Sequence, residues 1–243
     1  GTEVVAGTAI QAGTGSSGQA RVLEEIWKLS GLTLGDVDFI LATGYGRASV
    51  KEAGKQMSEI TCHAKGVFFQ NPTTRTIIDI GGQDVKAIAL DDRGAIRQFY
   101  MNDKCAAGTG RFLDVMARVL EVSLDEMVDY HFRSKSPARV SSTCTVFAES
   151  EVISLLSRGI PKEDIIAGVH FSVAAKACGL AERVGVRDDV ILCGGVGRNR
   201  GVADAIQAQL GHTVTVAQHP QLTGALGAAL LAYEEMRRKE KIV

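Results

Sequence analysis

Cysteines carry the most reactive side chains in this 243-residue chain, and there are five of them, from Cys62 to Cys193. The set is sparse, unevenly spaced and odd in number, which is not typical of the disulfide framework of a small secreted domain. We therefore expect reduced thiols. Cys178 lies in an alanine-rich predicted helix, and Cys193 ends a predicted buried strand. Cys62, beside His63 on another predicted helix, has no further ligands nearby. These three are expected to be small apolar core residues.

Cys105 and Cys144 lie in segments rich in small and hydroxylated residues, NDKCAAGTGRF and SSTCTVFAE, each followed by a predicted helix. A thiol before a helix N-terminus is expected to have a lowered pKa, because free N–H groups and the helix dipole stabilise an anion. Two thiolates are too few for a [4Fe–4S] cluster, but a homodimer with the cluster on its two-fold axis supplies four. Zinc between two copies, a redox disulfide and two metal-free thiols remain open, although the chain has no close CxxC or CxxH pair.

Two glycine pairs follow predicted buried strands, Gly81–Gly82 in TIIDIGGQD and Gly194–Gly195 in VILCGGVGRN. Glycine lets backbone N–H groups approach a phosphate closely, and a helix starting near Asn199 would add its dipole. Asp84 suits the surroundings of Mg²⁺, and equally a solvated turn. A third glycine segment, LTGALG, opens the last helix. GxGxxG in a strand–turn–helix context and GxxxxGK(S/T) are both absent, which disfavours nucleotide binding of the Rossmann or Walker type.

The elements that must position these residues follow from apolar periodicity. The pattern predicts a two-lobed α/β protein, with the NPTT segment at 71–74 as the linker between the lobes. The predicted strands are 3–11, 37–43, 76–80, 85–90, 96–101, 190–193 and 213–216. The predicted helices are 19–29, 51–69, 110–121, 123–131, 146–158, 161–184, one from 199 and one from 224 to about 239.

Composition excludes several classes of function. With 27 Lys and Arg against 28 Asp and Glu, the net charge of −1 gives no basic field for nucleic acid or anionic lipid. No apolar run approaches the ~20 residues of a membrane span, and the first residues do not resemble a signal peptide. We expect a cytoplasmic protein with no nucleic-acid or membrane partner.

The segments 79–84, 102–112, 142–153 and 224–229 together resemble the ATP-dependent activators of 2-hydroxyacyl-CoA dehydratases and the related ATPase subunits of benzoyl-CoA reductase. The resemblance covers essentially the whole chain, and it is nearest to the activators that serve (R)-2-hydroxyglutaryl-CoA dehydratase. It implies the fold of acetate kinase, sugar kinases, heat-shock chaperones and actin, in which two RNase H-like lobes clasp ATP. The lobes would be 1–72 with 223–243, which is incomplete, and 73–222.

The resemblance also implies the ligands and their residues. One [4Fe–4S] cluster per homodimer would be bound by Cys105 and Cys144, and the helices after them would form a helix–cluster–helix spring. ATP or ADP with Mg²⁺ would be bound by two motifs and their neighbours, with Gln83 or Asp84 orienting the hydrolytic water. The motifs are Gly81, Gly82, Gln83 and Asp84 for phosphate, and Gly194, Gly195 and Val196 for adenosine, with Asn199 and Gly224 nearby.

By the same resemblance, ferredoxin or flavodoxin would give one electron to the cluster, and ATP hydrolysis would drive its low-potential transfer to a dehydratase in anaerobic metabolism. The family begins with a strand and an Asp-x-Gly-Ser-Thr phosphate turn. Here the chain opens inside what would be the third strand, so we expect an N-terminal truncation. Two alternatives stay open: a sugar or amino-sugar kinase of the same fold, and a non-enzymatic iron–sulfur redox dimer.

Overall fold

The computed structural model describes residues 3–12, 17–141 and 144–240. The chain divides into two compact units, Gly1–Pro72 with Gln221–Val243 (unit 1) and Thr73–Pro220 (unit 2). The helices are α1 Gly18–Ser30, α2 Glu59–Gln70, α3 Gly110–Val119, α4 Leu124–Arg133, α5 Thr145–Ser157, α6 Lys162–Val184, α7 Arg200–Leu210 and α8 Thr223–Glu240. The strands are β1 Leu41–Ala42, β2 Lys55–Gln56, β3 Thr76–Ile80, β4 Val85–Leu90, β5 Ile96–Asn102, β6 Val190–Cys193 and β7 Val214–Val216.

Unit 1 is built around the close crossing of α2 and α8. A Cβ atom added to Gly66 of α2 would overlap the carbonyl oxygen of Thr223, and one added to Gly227 of α8 would overlap that of Cys62. The two backbones therefore touch at a point where only hydrogen fits between them. The short strands β1 and β2 pair in parallel in the same unit.

Three sequence predictions in unit 1 are wrong. Residues 3–12 form no strand, and Val4 and Val5 are exposed, so alternation of apolar residues there does not reflect a buried face. The strand predicted at 37–43 shrinks to β1, which covers two residues. The helix predicted from 51 begins only at Glu59, because β2 uses residues 55 and 56 to pair with β1.

Unit 2 contains a five-stranded sheet in the order β5-β4-β3-β6-β7. β3, β4 and β5 form antiparallel hairpins, whereas β6 is parallel to β3 and β7 is parallel to β6. The core on one face combines Ile78, Ile80 and Ala87 with residues of α3 and α6. The predicted bounds of β3, β4 and β6 are confirmed to the residue, because these fully buried strands are mostly apolar and are followed by glycine or by a turn.

Helix α6 is long and apolar enough to cross a membrane by length and composition alone. However, 72% of its most apolar 18-residue window is buried inside the protein. Its apolar residues, among them Ile165, Val169 and Val173, are part of the core of unit 2. The helix is therefore a core helix, and its hydrophobicity reflects packing on the sheet.

Candidate functional site

The phosphate turn, residues 81–84, joins β3 to β4 in unit 2, at the edge of the sheet where β3 ends. The Gly81 N–H donates to the Asp84 carbonyl oxygen at 2.9 Å, which closes the turn. A Cβ on Gly81 would lie 2.6 Å from a carboxylate oxygen of Asp84, so this position requires glycine. Gly82 and Gln83 are exposed, whereas Asp84 is buried. The turn thus offers backbone and an amide to solvent and keeps its carboxylate inside.

A buried lysine, which the sequence did not point to, accounts for the burial of this carboxylate. Lys86 Nζ lies 2.7 Å from Asp84 Oδ1 and 3.0 Å from Asp79 Oδ2, and the side chains of all three residues are less than 10% exposed. Such a buried charge is tolerated because both neighbours compensate it. The hairpin register, in which Asp79 faces Lys86, contained the signal, since the register follows from pairing Ile80 with Val85.

The adenosine segment, residues 194–199, follows β6 at the same edge, because β6 runs parallel to β3 and Cys193 pairs with Asp79. Gly194 has φ 83° and ψ 173°, a conformation essentially restricted to glycine. Residues Gly195–Arg198 then form a 3-10 helix, with Gly195 exposed and Val196 buried. The α-helix predicted near residue 199 begins at Arg200, and the Asn199 side chain caps it by accepting the Val202 N–H at 3.0 Å.

The start of α3 joins the two segments. The Gly110 N–H donates to the Gly81 carbonyl at 2.9 Å, and the Arg111 N–H donates to the Gly82 carbonyl at 3.0 Å. A Cβ on Gly110 would lie 3.3 Å from both Gly81 O and Val196 Cγ2, so the helix start touches the phosphate turn and the adenosine segment together. Sequence analysis missed this role of Gly110.

The loop before α3 carries Cys105, which is half-buried. The loop is tight: the Thr109 N–H and hydroxyl both donate to the Ala106 carbonyl, and Gly108 has φ 90°. The expectation that free N–H groups at the start of α3 would face this thiol is wrong. The first two N–H groups are used by the phosphate turn, and the cysteine lies five residues before the helix.

Cys144 lies directly at the start of α5, as its N-cap residue, and is also half-buried. The first turn of α5 has no acidic side chain. The next residue, Thr145, has a buried hydroxyl without a hydrogen-bond partner among the residues that the structure describes. The Thr145 hydroxyl, next to Cys144, could therefore donate a hydrogen bond to a sulfur atom bound near this thiol. Residues 142 and 143 of the predicted cysteine segment lie outside the described residues.

The other three cysteines are confirmed as buried core residues. Burial raises the pKa of the Cys62 thiol. Burial, with the nearby Glu182 carboxylate, raises the pKa of the Cys178 thiol to about 12. The Cys193 thiol donates to Asp79 Oδ1 at 3.6 Å. Thiols that stay protonated or already have a partner are poor metal ligands.

Gly224, the remaining candidate, belongs to unit 1. It lies on the first turn of α8, where an added Cβ would come within 3.1 Å of His63 Nε2. His63 Nδ1 lies 2.9 Å from the Thr223 hydroxyl. The structure therefore brings together the candidates at 81–84 and 194–199 in unit 2 and places Gly224 in the other unit.

Comparison with known proteins identifies the family of this chain. A model of the BadF/BadG/BcrA/BcrD ATPase family matches residues 2–232. The activator of lactoyl-CoA dehydratase from Anaerotignum propionicum is 59% identical over 98% of this chain and 92% of its own length. The activator of 2-hydroxyisocaproyl-CoA dehydratase from Clostridium difficile, solved with bound ADPNP, matches with a TM-score of 0.96 and 50% identity, over 100% of this chain and 90% of that one.

A second solved structure, (R)-2-hydroxyglutaryl-CoA dehydratase component A from Acidaminococcus fermentans, matches with a TM-score of 0.92 and 51% identity, over 96% of this chain and 90% of that one. The predicted fold class, that of acetate kinase, sugar kinases and actin, is confirmed by these matches. The family match, the relatives and the geometry agree: the chain belongs to the BadF/BadG/BcrA/BcrD ATPase family.

Proposed function

We propose that this protein is an ATP-hydrolysing activator that passes a low-potential electron to a 2-hydroxyacyl-CoA dehydratase. The names of the similar activators support this reaction and this partner. The observation that carries the proposal is the pair of hydrogen bonds from the start of α3 to the carbonyls of Gly81 and Gly82. An ATPase that moves electrons needs a physical connection between its phosphate site and its redox group, and these bonds provide one.

ATP or ADP with Mg²⁺ is proposed to bind at the two glycine segments of unit 2. Exposed Gly82 leaves its backbone open to a phosphate, and Gln83 is free to orient water. Asp84 would act on Mg²⁺ through water, with Lys86 holding its carboxylate in place. Gly195, Val196 and Asn199 would contact the nucleoside. The assignment of Gly224, which belongs to unit 1, stays a prediction from the sequence resemblance. The solved Clostridium difficile activator has ADPNP bound, which supports nucleotide binding as such.

A [4Fe–4S] cluster is proposed to be held by Cys105 and Cys144, because they are the two cysteines that are not buried in the core. The fit is supported by the small residues beside Cys105 and by the unpartnered Thr145 hydroxyl, which can donate to sulfur. When bound, the cluster supplies a group that takes up and releases one electron. Four ligands require two copies of the chain, so the protein is proposed to act as a homodimer.

The surface of α5 supports a second copy as the partner at the cluster. Val146, Phe147 and Ile153 are between 52% and 68% exposed, and the residues between them on this face are serines. An uncharged apolar surface that begins beside a cluster ligand is suited to pairing with its own symmetry copy. Ferredoxin or flavodoxin, which carry single electrons, are the proposed donors, and the anaerobic cytoplasm is the proposed location.

Coupling would run through the chain's own backbone. A change in contact between phosphate and residues 81–84 shifts the carbonyls that hold Gly110 and Arg111, and α3 and the loop carrying Cys105 follow. Each of the two hydrogen bonds is worth about 1 kcal/mol, so together they can bias the position of the loop by more than tenfold. The cysteine's exposure and hydrogen bonding change as a result, and both influence a cluster's potential.

The first experiment tests the ligands. Protein purified without oxygen is expected to contain four iron and four sulfide per homodimer, as a cluster held by four thiolates requires. Cys105→Ser and Cys144→Ser should lose the iron, while the buried control Cys178→Ala keeps it. Unchanged iron in either serine variant would reject the cluster assignment. ATP hydrolysis without a sugar acceptor separates the proposal from the kinase alternative, which the comparisons do not support.

The second experiment tests the coupling through Gly110. Proline at this first helical position is compatible with α3 but removes the N–H that bonds to Gly81, whereas Gly110→Ala adds a Cβ and keeps the N–H. We expect Mg·ADP to change the rate of iron removal by a chelator in the wild type and in Gly110→Ala. In Gly110→Pro one of the two hydrogen bonds is lost and the other, from Arg111 to Gly82, is kept, so the response should be weaker, although ADP still binds. An unaltered response in the proline variant would contradict the proposed route.

A further inference from the structure

Four side chains from three helices and a cap form a continuous hydrogen-bonded chain beside the adenosine segment. Asn199 Nδ2 lies 3.3 Å from His170 Nε2 on α6, and His170 Nδ1 lies 3.1 Å from His131 Nδ1 on α4. His131 Nε2 lies 3.1 Å from Asp204 Oδ2 on α7. Both histidines and the asparagine are buried, while the aspartate side chain is 49% exposed. We call this set the histidine relay.

The direction of every bond in the relay follows from its first member. Asn199 Oδ1 accepts the Val202 backbone N–H, so its Nδ2 is the atom that faces His170 and donates to it. His170 Nε2 must therefore be unprotonated, which places the ring proton on Nδ1 and makes it the donor to His131. His131 then accepts on Nδ1 and donates from Nε2 to the Asp204 carboxylate. The relay requires two neutral histidines in opposite tautomers.

Packing holds the relay in this arrangement. A Cβ on Gly201 would lie 2.5 Å from His170 Nδ1 and 2.9 Å from His131 Cγ, so α7 presses directly on both rings. Burial, with the neighbouring His131, lowers the pKa of His170 to about 3. His170 is therefore neutral at physiological pH, as the bond from Asn199 demands.

We infer that His170 and His131 are positioning residues of the nucleotide site, which orient the Asn199 amide and thereby fix the end of the adenosine segment. Asn199 connects the adenosine segment to the histidine relay. Its N–H donates to the Val196 carbonyl at 2.8 Å, and its side chain caps α7 and bonds to His170. Without the His170 acceptor, the buried Asn199 amide would have an unpaired donor, which makes its present orientation less stable. This inference rests on the proposed nucleotide site.

Two amide variants of His170 test the relay by placing the acceptor atom at different positions. Glutamine places an acceptor where Nε2 was, and asparagine, being shorter, reaches only the position of Nδ1. We expect His170→Asn to weaken the affinity for ADP about fivefold, as for one lost hydrogen bond, and His170→Gln to restore it to within about twofold. Equal affinities of the two variants would overturn the inference, since a purely structural histidine would not distinguish them.

The unmodified holoprotein gives a second readout that does not depend on variant folding. Nitrogen-15 NMR of the histidine rings is expected to show His170 as the Nδ1–H tautomer and His131 as the Nε2–H tautomer at pH 7.5. The same tautomer in both rings, or a charged ring in either, would overturn the relay. If the wild type fails to bind ADP while the tautomers are as expected, the proposed nucleotide site is wrong and the positioning role falls with it.

Discussion

Lowering the pH from 7.5 to 5.0 is expected to destabilise unit 2 through His170. The folded protein keeps this ring neutral, with a pKa of about 3, whereas the ordinary value is 6.5. At a pH between about 3 and 6.5, this histidine binds a proton in the unfolded chain but not in the folded chain. The stabilising effect is therefore complete above pH 6.5 and is lost progressively as the pH falls towards 3. Each pH unit in this window changes the free energy of unfolding by about 1.4 kcal/mol, which gives about 2 kcal/mol at pH 5.0.

Urea unfolding followed by circular dichroism at pH 7.5, 6.5 and 5.0 measures the effect. His170→Gln is the control, because glutamine keeps an acceptor for Asn199 and does not titrate. Carboxylates whose pKa is lowered by hydrogen bonds, such as Asp164 and Glu126, lose stabilising effect in acid too, but equally in both proteins. His131 faces the ring of His170, with Asp204 at its far side. Parallel curves for the wild type and the variant would refute the reasoning.

Three further predictions follow from packing and charge. Gly227→Ala should destabilise unit 1 by about 3 kcal/mol, because the added methyl group has no space at the crossing of α2 and α8. Gly179→Ala is the control: it has open space around it and should stabilise α6 by about 0.5–1 kcal/mol. Thermal unfolding compares the two variants. Lys86→Met should destabilise unit 2 by about 3 kcal/mol at pH 7.5, because two buried carboxylates lose their ion-pair partner, and thermal unfolding measures the loss. A fully stable variant would contradict the ion-pair assignment. Iodoacetamide should alkylate Cys105 and Cys144 in cluster-free protein well before the three buried thiols, which peptide mass spectrometry detects; early labelling of a buried cysteine would contradict the assignment of core residues.

Local pattern was sufficient for most of unit 2. The strands β3, β4 and β6 are short, mostly apolar runs, interrupted only by Thr76, Asp79 and Lys86, and such runs depend little on distant residues. The same reasoning failed in unit 1, where the alternation at residues 3–11 matches no buried face and where β2 delays the start of α2. Amphipathic pattern is informative only when the face that it marks is covered by another element.

Residue type and position along the chain were enough to separate the cysteines into three in the core and two half-buried ones before helices, and to mark the glycine turns as candidate nucleotide segments. Only the tertiary structure decided what holds those segments: Lys86 against two aspartates, Gly110 between both turns, and the relay from Asn199 to Asp204. The relay joins His131 to His170 across 39 residues of sequence. Such contacts depend on strand register and on which helix faces meet, and these are settled by packing the whole core, so no local window of the sequence contains them.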